Sequence, residues 1–167
     1  MVVRLARLRV PLGFASALVA FVFATPTSTS VLIGLVVATA GEGFRVWAAG
    51  HIEKGREITR SGPYRYVRHP LYLGSALLGA GFAIASHSVP VAALAIAYLG
   101  ITLGAAMRTE EAVLDAKFDG AYAAYREGRA GAVDRPFSWD RALANREYRA
   151  VAGFVAAFLL LAWRAFA

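Results

Sequence analysis

Hydrophobic and polar positions follow one another along the chain in long blocks, and five of the apolar blocks stand out. They cover residues 10–25, 31–50, 70–86, 89–107 and 148–166. Each approaches the roughly 20 residues that a helix needs to cross about 30 Å of hydrocarbon, with allowance for tilt and thinning. Turn-forming residues separate the first two blocks at 26–30 and the third and fourth at 87–90. The pattern predicts an all-α, polytopic membrane protein of about five transmembrane helices, organised as one domain over residues 1–167.

Composition supports a lipid bilayer as the solvent of these blocks. Hydrophobic residues make up 58% of the chain and charged residues 17%, whereas soluble domains carry about 25% charged residues. The chain has no cysteine, which excludes disulfides and thiolate metal sites. Basic residues before the first block resemble the start of a signal peptide, but no convincing small-residue cleavage site follows. We therefore expect a retained first helix.

The 18 Lys and Arg residues are distributed unevenly about these blocks. They concentrate before the first block, between the second and third, and between the fourth and fifth, whereas the opposite side has only Arg164. Short cytoplasmic loops are enriched in Lys and Arg. All three segments are therefore expected to face the cytoplasm, across what we take to be a prokaryotic inner membrane. The net charge of +7 fits a membrane surface, and nucleic acid is not an expected partner.

The segment 61–74, Ser-Gly-Pro-Tyr-Arg-Tyr-Val-Arg-His-Pro-Leu-Tyr-Leu-Gly, is the most informative part of the sequence. Pro70 suits the first turn of the third helix, where its missing N–H costs nothing. His69 is then the N-cap, and free backbone N–H groups there favour an anion such as a carboxylate. Arg68 would add a further donor. The alternative is an ordinary interfacial belt of aromatic and basic side chains, formed by Tyr64, Tyr66, Tyr72, Arg65 and Arg68.

Two adjacent carboxylates, Glu110 and Glu111, follow the fourth block directly. Neighbours on a helix lie about 100° apart, so we expect Glu110 to face the bundle and Glu111 to face outward. Apolar and aromatic residues continue at helical spacing, which predicts that the fourth helix extends to about Arg129. The alternative is a solvated face on which these carboxylates pair with Arg108.

Ionisable residues also occur within the second block. Glu42 and Arg45 lie three residues apart, on one face of a helix. Such residues inside a membrane are candidates for function, although a structural ion pair explains them equally well. His51 has no second ligand close to it in the sequence. We therefore expect no metal site.

The segment 62–74 and the Glu-Glu pair one helical hairpin later together resemble the isoprenylcysteine carboxyl methyltransferases and the related phospholipid methyltransferases. The resemblance covers about residues 41–129. It implies an S-adenosylmethionine site at the cytoplasmic membrane surface and a lipophilic or lipidated acceptor that enters between helices, from among the membrane lipids.

By this resemblance, with Arg68 added as an anion donor, the cofactor-binding candidates are Glu57, Ile58, Thr59, Tyr64, Arg68, His69, Pro70, Tyr72 and Glu110. The catalytic candidates are Arg108 and Glu111. Prenylcysteine enzymes carry an Arg about one turn before the first Glu, and this chain has Ala106 there. Arg108 is the nearest Arg, and its guanidinium would suit an acceptor carboxylate or phosphate.

Two other functions remain open. Membrane sterol reductases carry a similar Arg-His-Pro-x-Tyr element and use NADPH, although they are usually much longer than this chain. A non-enzymatic membrane module or small transporter subunit would be expected to show broken helices or a polar path, of which Glu42 and Arg45 are the only sign. Binding of S-adenosylhomocysteine, of NADPH, or of neither would separate the three.

Overall fold

The computed structural model describes residue 13 and residues 16–167, and among these there is no β-strand. A helical segment over 16–23 precedes the other elements. The helices that follow are α1 (Ser28–Ala49), α2 (Pro70–Ser86), α3 (Val89–Lys117), α4 (Ala121–Arg126), α5 (Trp139–Ala144) and α6 (Tyr148–Phe166). A 3-10 helix, Gly62–Arg65, lies in the loop between α1 and α2. The all-α prediction is confirmed for the part of the chain that is described.

Helix α1 begins with a capping box. The Thr27 hydroxyl accepts from the Ser30 N–H at 3.1 Å, and the Ser30 hydroxyl accepts from the Thr27 N–H at 2.9 Å. Both satisfy backbone donors that a helix start leaves free. The Ser30 hydroxyl also lies 3.1 Å from the Ala85 carbonyl, to which it donates. The start of α1 is thereby joined to the end of α2, and the two helices form an antiparallel hairpin.

Glycines let α1 and α2 approach until their backbones touch. A Cβ on Gly34 would lie 2.4 Å from the Gly81 carbonyl oxygen, and one on Gly81 would lie 2.5 Å from the Ala38 nitrogen. Gly41 and Gly74 face each other in the same way, each with its Cβ position 2.8 Å from the other's carbonyl oxygen. Close packing through small residues is typical of helices that associate in lipid. This hairpin fixes the end of α1 beside the start of α2.

Helix α3 follows a tight turn in which His87 adopts a left-handed conformation, with φ of 47°. Pro90 lies in its first turn. Val91 is the only buried residue along α3, although the helix is apolar over most of its length. Apolar side chains are also exposed on α1 and α6, and continuous exposed apolar surface of this kind calls for lipid around it.

Three of the described helices are long and apolar enough to cross a membrane: α1, α3 and α6. Helix α2 is apolar as well but has 17 residues. Of the predicted first span, 10–25, residues 10–12, 14 and 15 lie outside the described residues, and residues 16–23 are helical. The bounds of α2 and α6 coincide with the predicted blocks 70–86 and 148–166. A count of five spans stays a prediction.

Helix α6 packs against α1 and α2 along its second half and is paired with α1 at its start. Phe158 and Leu161 lie in one apolar cluster with Val31 and Ala85. At the beginning of α6, Glu147 forms an ion pair with Arg45 at 2.7 Å. The last span is therefore joined to the central hairpin by apolar and by charged contacts.

The prediction that the fourth helix continues to about Arg129 is wrong. Helix α3 ends at Lys117, and a separate short helix, α4, follows it. Asp119 and Gly120 have φ of 29° and 77°, in the left-handed region that ends a helix. The Asp-Gly dipeptide is a common turn signal, and it outweighs the helical spacing of the apolar residues on either side.

Candidate active site

A cavity of about 760 Å³ lies at the end of the bundle where α1 stops and α2 begins. Its wall is formed by the loop 52–59, by Tyr64 of the 3-10 helix, by the first turn of α2, and by α3 and α4. The volume falls within the roughly 300–1,000 Å³ of pockets that enclose small ligands and cofactors. The close-packed hairpin positions this site, because it brings the loop and the start of α2 to one place.

Helix α3 contributes one face to the cavity over more than five turns. The residues of this face recur every three or four positions: Leu94, Ala97, Tyr98, Ile101, Thr102, Ala105, Ala106, Thr109, Glu110, Val113, Leu114 and Lys117. The face is largely apolar in its first half and carries charges at its far end. The cavity therefore has an apolar part along the span and a polar part at the loop end.

Arg108 falls between the rows of this face. Its side chain is exposed and does not line the cavity, whereas Ala106 and Glu110 on either side of it do. The cationic side chains that do line the cavity are Lys54, Arg68 and Lys117. Lys117 donates to the Gly55 carbonyl at 2.5 Å and thereby links the end of α3 to the loop.

His69 is the N-cap of α2, as predicted, but its ring makes no hydrogen bond to the helix backbone. Its Nε2 instead lies 2.9 Å from Glu111 Oε1, and its Nδ1 lies 3.9 Å from Glu110 Oε2. The expectation that Glu111 faces outward is therefore wrong. The two ring nitrogens point in opposite directions, so two carboxylates 100° apart on α3 can both reach the ring.

Glu111 is held by three neighbours. Besides His69, Tyr122 donates its hydroxyl to Oε1 at 3.3 Å, and Arg68 Nη1 lies 3.7 Å from the same oxygen. Glu110 has a longer contact with His69, and it lines the cavity. The two adjacent carboxylates therefore differ in position: Glu111 fixes the imidazole ring of His69, and Glu110 faces the cavity.

Tyr64 is buried on the cavity wall, with 7% of its surface exposed, and its hydroxyl has no hydrogen-bond partner. Burial, with a smaller contribution from Glu110, raises the pKa of Tyr64 far above its usual value, so the hydroxyl keeps its proton. The Tyr125 hydroxyl donates to the Tyr64 carbonyl at 2.8 Å and holds this residue in place. A buried donor without a partner is costly and marks a point where a ligand can bind.

The loop side of the cavity is acidic. Glu53 and Glu57 both line it, and both approach one guanidinium, that of Arg135. Arg135 Nη2 lies 2.7 Å from Glu57 Oε2 and Nη1 lies 3.6 Å from Glu53 Oε1. Thr59, also on the wall, accepts from the Glu53 N–H at 3.4 Å. Sequence reasoning gave Arg135 no role, since nothing in the sequence relates it to residues 78 and more positions away.

Most of the predicted cofactor-binding residues are brought together by the fold. Those that line the cavity are Glu57, Ile58, Thr59, Tyr64, Arg68, His69, Tyr72 and Glu110. Pro70 is fully buried beside the wall and shapes the start of α2. Lys54, Lys117 and Glu53 line the cavity and were not predicted. Their charges lie in loops and helix ends, where a sequence pattern does not distinguish a ligand-facing side chain from a solvated one.

Glu42 and Arg45 form the expected pair, with Arg45 Nε 3.6 Å from Glu42 Oε2. Neither residue lines the cavity. Arg45 also hydrogen-bonds Ser75 on α2 and pairs with Glu147. Both oxygens of Glu42 are buried without a hydrogen-bond donor. The structure thus favours the structural interpretation of this pair.

Within residue 13 and residues 16–167, no group of three or more His, Asp or Glu side chains is placed to hold a metal ion. The expectation of no metal site stays a prediction.

Comparison with known proteins identifies a family and two relatives. The sequence model of the family described as phospholipid methyltransferase matches residues 14–121, which is more than half of the chain. The nickel-cobalt-cadmium resistance protein NccN of Alcaligenes xylosoxydans xylosoxydans is 30% identical over 89 residues. The cobalt-zinc-cadmium resistance protein CzcN of Cupriavidus metallidurans is 33% identical over 89 residues. Each alignment covers 52% of this chain and 40% of the relative. No solved structure matches the chain.

Proposed function

Because the chain belongs to the phospholipid methyltransferase family, we propose that it transfers a methyl group from S-adenosylmethionine to a lipophilic or membrane-associated acceptor at the cytoplasmic face of the membrane. One observation carries the proposal: eight side chains expected to bind the cofactor line a single cavity, and that cavity continues along the apolar face of α3. A polar end for a charged cofactor and an apolar groove for a lipid chain are what such a reaction needs.

The residues of the polar end fit this cofactor. Bound S-adenosylmethionine supplies a methyl group activated on a sulfonium sulfur. The carboxylates of Glu53, Glu57 and Glu110 suit its positive groups. The free N–H groups at the start of α2, with His69 and Arg68, suit its carboxylate. The unpartnered Tyr64 hydroxyl is a neutral donor that a ligand oxygen or nitrogen would satisfy.

The protein's own contribution is to hold and align the two reactants. Methyl transfer from a sulfonium needs no covalent assistance, and correct alignment can supply much of the acceleration. Glu111 and Tyr122 keep the His69 ring in one orientation. The apolar residues of the α3 face, such as Leu94, exclude water from the path of the acceptor.

We propose that the acceptor is a lipid or lipidated molecule whose head carries a carboxylate or phosphate. Lys54, Arg68 and Lys117 supply positive charge at the polar end of the cavity. Arg108, which the sequence singled out for this role, is exposed off the cavity. We assign the acceptor contact to Lys54 and Lys117, since Arg68 lies beside His69, where it suits the carboxylate of the cofactor.

Cytoplasmic orientation rests on the Lys and Arg asymmetry of the sequence. Five spans would place the loop 50–69 and the segment 108–147 on one side. The contacts between these two segments, such as Lys117 with the Gly55 carbonyl, support placing them on one side.

The proposal is tested by calorimetric titration of S-adenosylhomocysteine into the purified full chain in detergent. His69→Ala and Glu110→Gln should each weaken binding by about tenfold to a hundredfold, the effect of losing a hydrogen bond to a charged group. Glu111→Gln should weaken binding by a smaller factor, because Glu111 acts through His69.

Arg108→Ala is the matched control on the same helix and should bind normally. The rate at which the Arg108→Ala variant methylates a membrane lipid extract tests whether Arg108 contributes to the acceptor site. Normal binding by both His69→Ala and Glu110→Gln would overturn the proposed site. Binding of NADPH in place of S-adenosylhomocysteine would overturn the proposed reaction in favour of a reductase.

A further inference from the structure

The segment 131–145, called the strap from here on, lies along the loop that forms the acidic wall of the cavity. It follows the part of the chain that the family model matches, which ends at residue 121. Its backbone and side chains contact residues 49–65, the stretch of chain that contains this loop. The pairs that join them are Arg60 with Gly131, Val133 with Arg60, Arg65 with Asp134, Arg135 with Glu57, Ser138 with Gly50, and Asn145 with Ala49 and Ile52.

The middle of the strap is fixed tightly against the end of α1. Phe137 lies directly on Gly50, where any Cβ would come within 2.1 Å of the phenyl ring. The Ser138 N–H donates to the Gly50 carbonyl at 3.1 Å, and Arg141 Nε donates to the same oxygen at 2.7 Å. These contacts leave little freedom for the backbone of Arg135, two residues before Phe137.

Arg135 is the point at which the strap reaches the cavity wall. Its guanidinium spans Glu57, at 2.7 Å, and Glu53, at 3.6 Å, and Nη1 also lies 3.5 Å from the His51 carbonyl. Glu53 and Glu57 both line the cavity. Without a cation between them these carboxylates would repel each other, and a loop with no regular secondary structure would let them turn towards water.

We propose that the strap is part of the cofactor site and that Arg135 is a positioning residue, which sets Glu53 and Glu57 in the orientation that the cofactor meets. The inference rests on the proposed function for the identity of the ligand. The order that Arg135 gives to the loop does not depend on it. A guanidinium suits this task because its planar fork can serve two carboxylates at once.

The first test is titration of S-adenosylhomocysteine into Arg135 variants of the full chain in detergent. Arg135→Gln should weaken binding by about tenfold. Arg135→Lys keeps the charge but loses the fork, and should recover part of this loss. Arg129→Gln is the matched control, since Arg129 is an exposed cation that pairs with Glu127 and does not touch the loop.

A double-mutant cycle shows whether Arg135 acts through Glu57. Once Arg135 is replaced, Glu57→Gln should cost much less binding than it costs in the unmodified chain. Additive losses would show that Arg135 supports the fold in a general way, and would overturn its assignment as a positioning residue.

The second test needs no ligand and separates failure of this inference from failure of the proposed function. Lys54 and Arg56 are exposed on the loop, and trypsin cleavage after them reports how ordered the loop is. Arg135→Gln should be cut there several times faster than Arg129→Gln, with the fragments identified by mass. Equal rates would overturn the inference even if the cofactor binds. Faster cleavage in a chain that binds no S-adenosylhomocysteine would overturn the proposed function and leave the strap's ordering of the loop standing.

Discussion

Gly41 and Gly43 lie two residues apart on α1, yet the structure predicts opposite effects of a methyl group at the two positions. A Cβ on Gly41 would lie 2.6 Å from the Leu78 nitrogen, 2.8 Å from the Gly74 carbonyl oxygen and 2.9 Å from the Leu77 Cβ. A Cβ on Gly43 would meet nothing within 4 Å. The two Ala variants therefore differ in packing while the chemical change is the same.

The magnitude for Gly41→Ala follows from what the new atom meets. Two of its three neighbours are backbone atoms of α2, which cannot turn aside as a side chain can, so the helices must separate. Overpacking of this kind typically costs about 1–3 kcal/mol, and we expect the upper half of that range. For Gly43→Ala we expect a gain of up to about 1 kcal/mol, because Ala loses less backbone entropy than Gly in a helix.

The assay is unfolding of both variants in mixed micelles with increasing denaturing detergent, followed by circular dichroism. Titration of S-adenosylhomocysteine is the second readout. Separation of α1 from α2 moves the loop 50–69 relative to α3, so Gly41→Ala should also weaken binding, whereas Gly43→Ala should leave it unchanged. Stabilities that agree within about 0.5 kcal/mol, a typical surface effect, would refute the close-packed hairpin as the element that positions the site.

Two further predictions concern topology and pH. A reporter fused after Ala167 and a label attached in the loop near Gly55 should lie on opposite sides of the membrane, and finding them on the same side would rule out five spans. Burial first, then Arg141, Arg135 and Arg65, lowers the pKa of His51. The unfolded chain then binds a proton on His51 below about pH 6.5 while the folded chain does not. The stability that neutral His51 contributes is therefore complete above that pH and is lost as the pH falls through the lowered pKa. Denaturant titrations at pH 8 and pH 5 measure this loss, and His51→Asn should reduce it.

Features that depend on local sequence could be predicted from it. Long apolar blocks and proline placement gave the bounds of α2 and α6, and the Arg-His-Pro element placed His69 at a helix start. The loop residues Glu57 to Thr59 could be related to the cofactor only through the resemblance to a family. The fold brings them to the same cavity as His69 and Glu110. Their shared position is an independent reason to assign all of them to one binding site.

Features that depend on contacts between distant segments could not be predicted. Arg135 lies 78 residues from Glu57, and no periodicity relates a loop to a strap that covers it. The orientation of Glu111 depends on how α2 and α3 are placed against each other, because its partner His69 begins α2 while Glu111 lies on α3. The end of α3 at Lys117 is locally encoded by Asp119 and Gly120, although the apolar residues beyond them continue at helical spacing.

Two groups of ionisable residues occur in or near the spans, and the structure separates them by what each one faces. Arg45 lies among Glu42, Ser75 and Glu147, side chains from α1, α2 and the start of α6. This group lies off the cavity, so its effect is to hold three helices together. An ionisable residue in a membrane is a functional candidate by default, but that default applies where the residue faces a cavity. His69, Arg68 and Glu110 meet this condition, and replacement of Arg45 should therefore lower stability before it changes the affinity for any ligand.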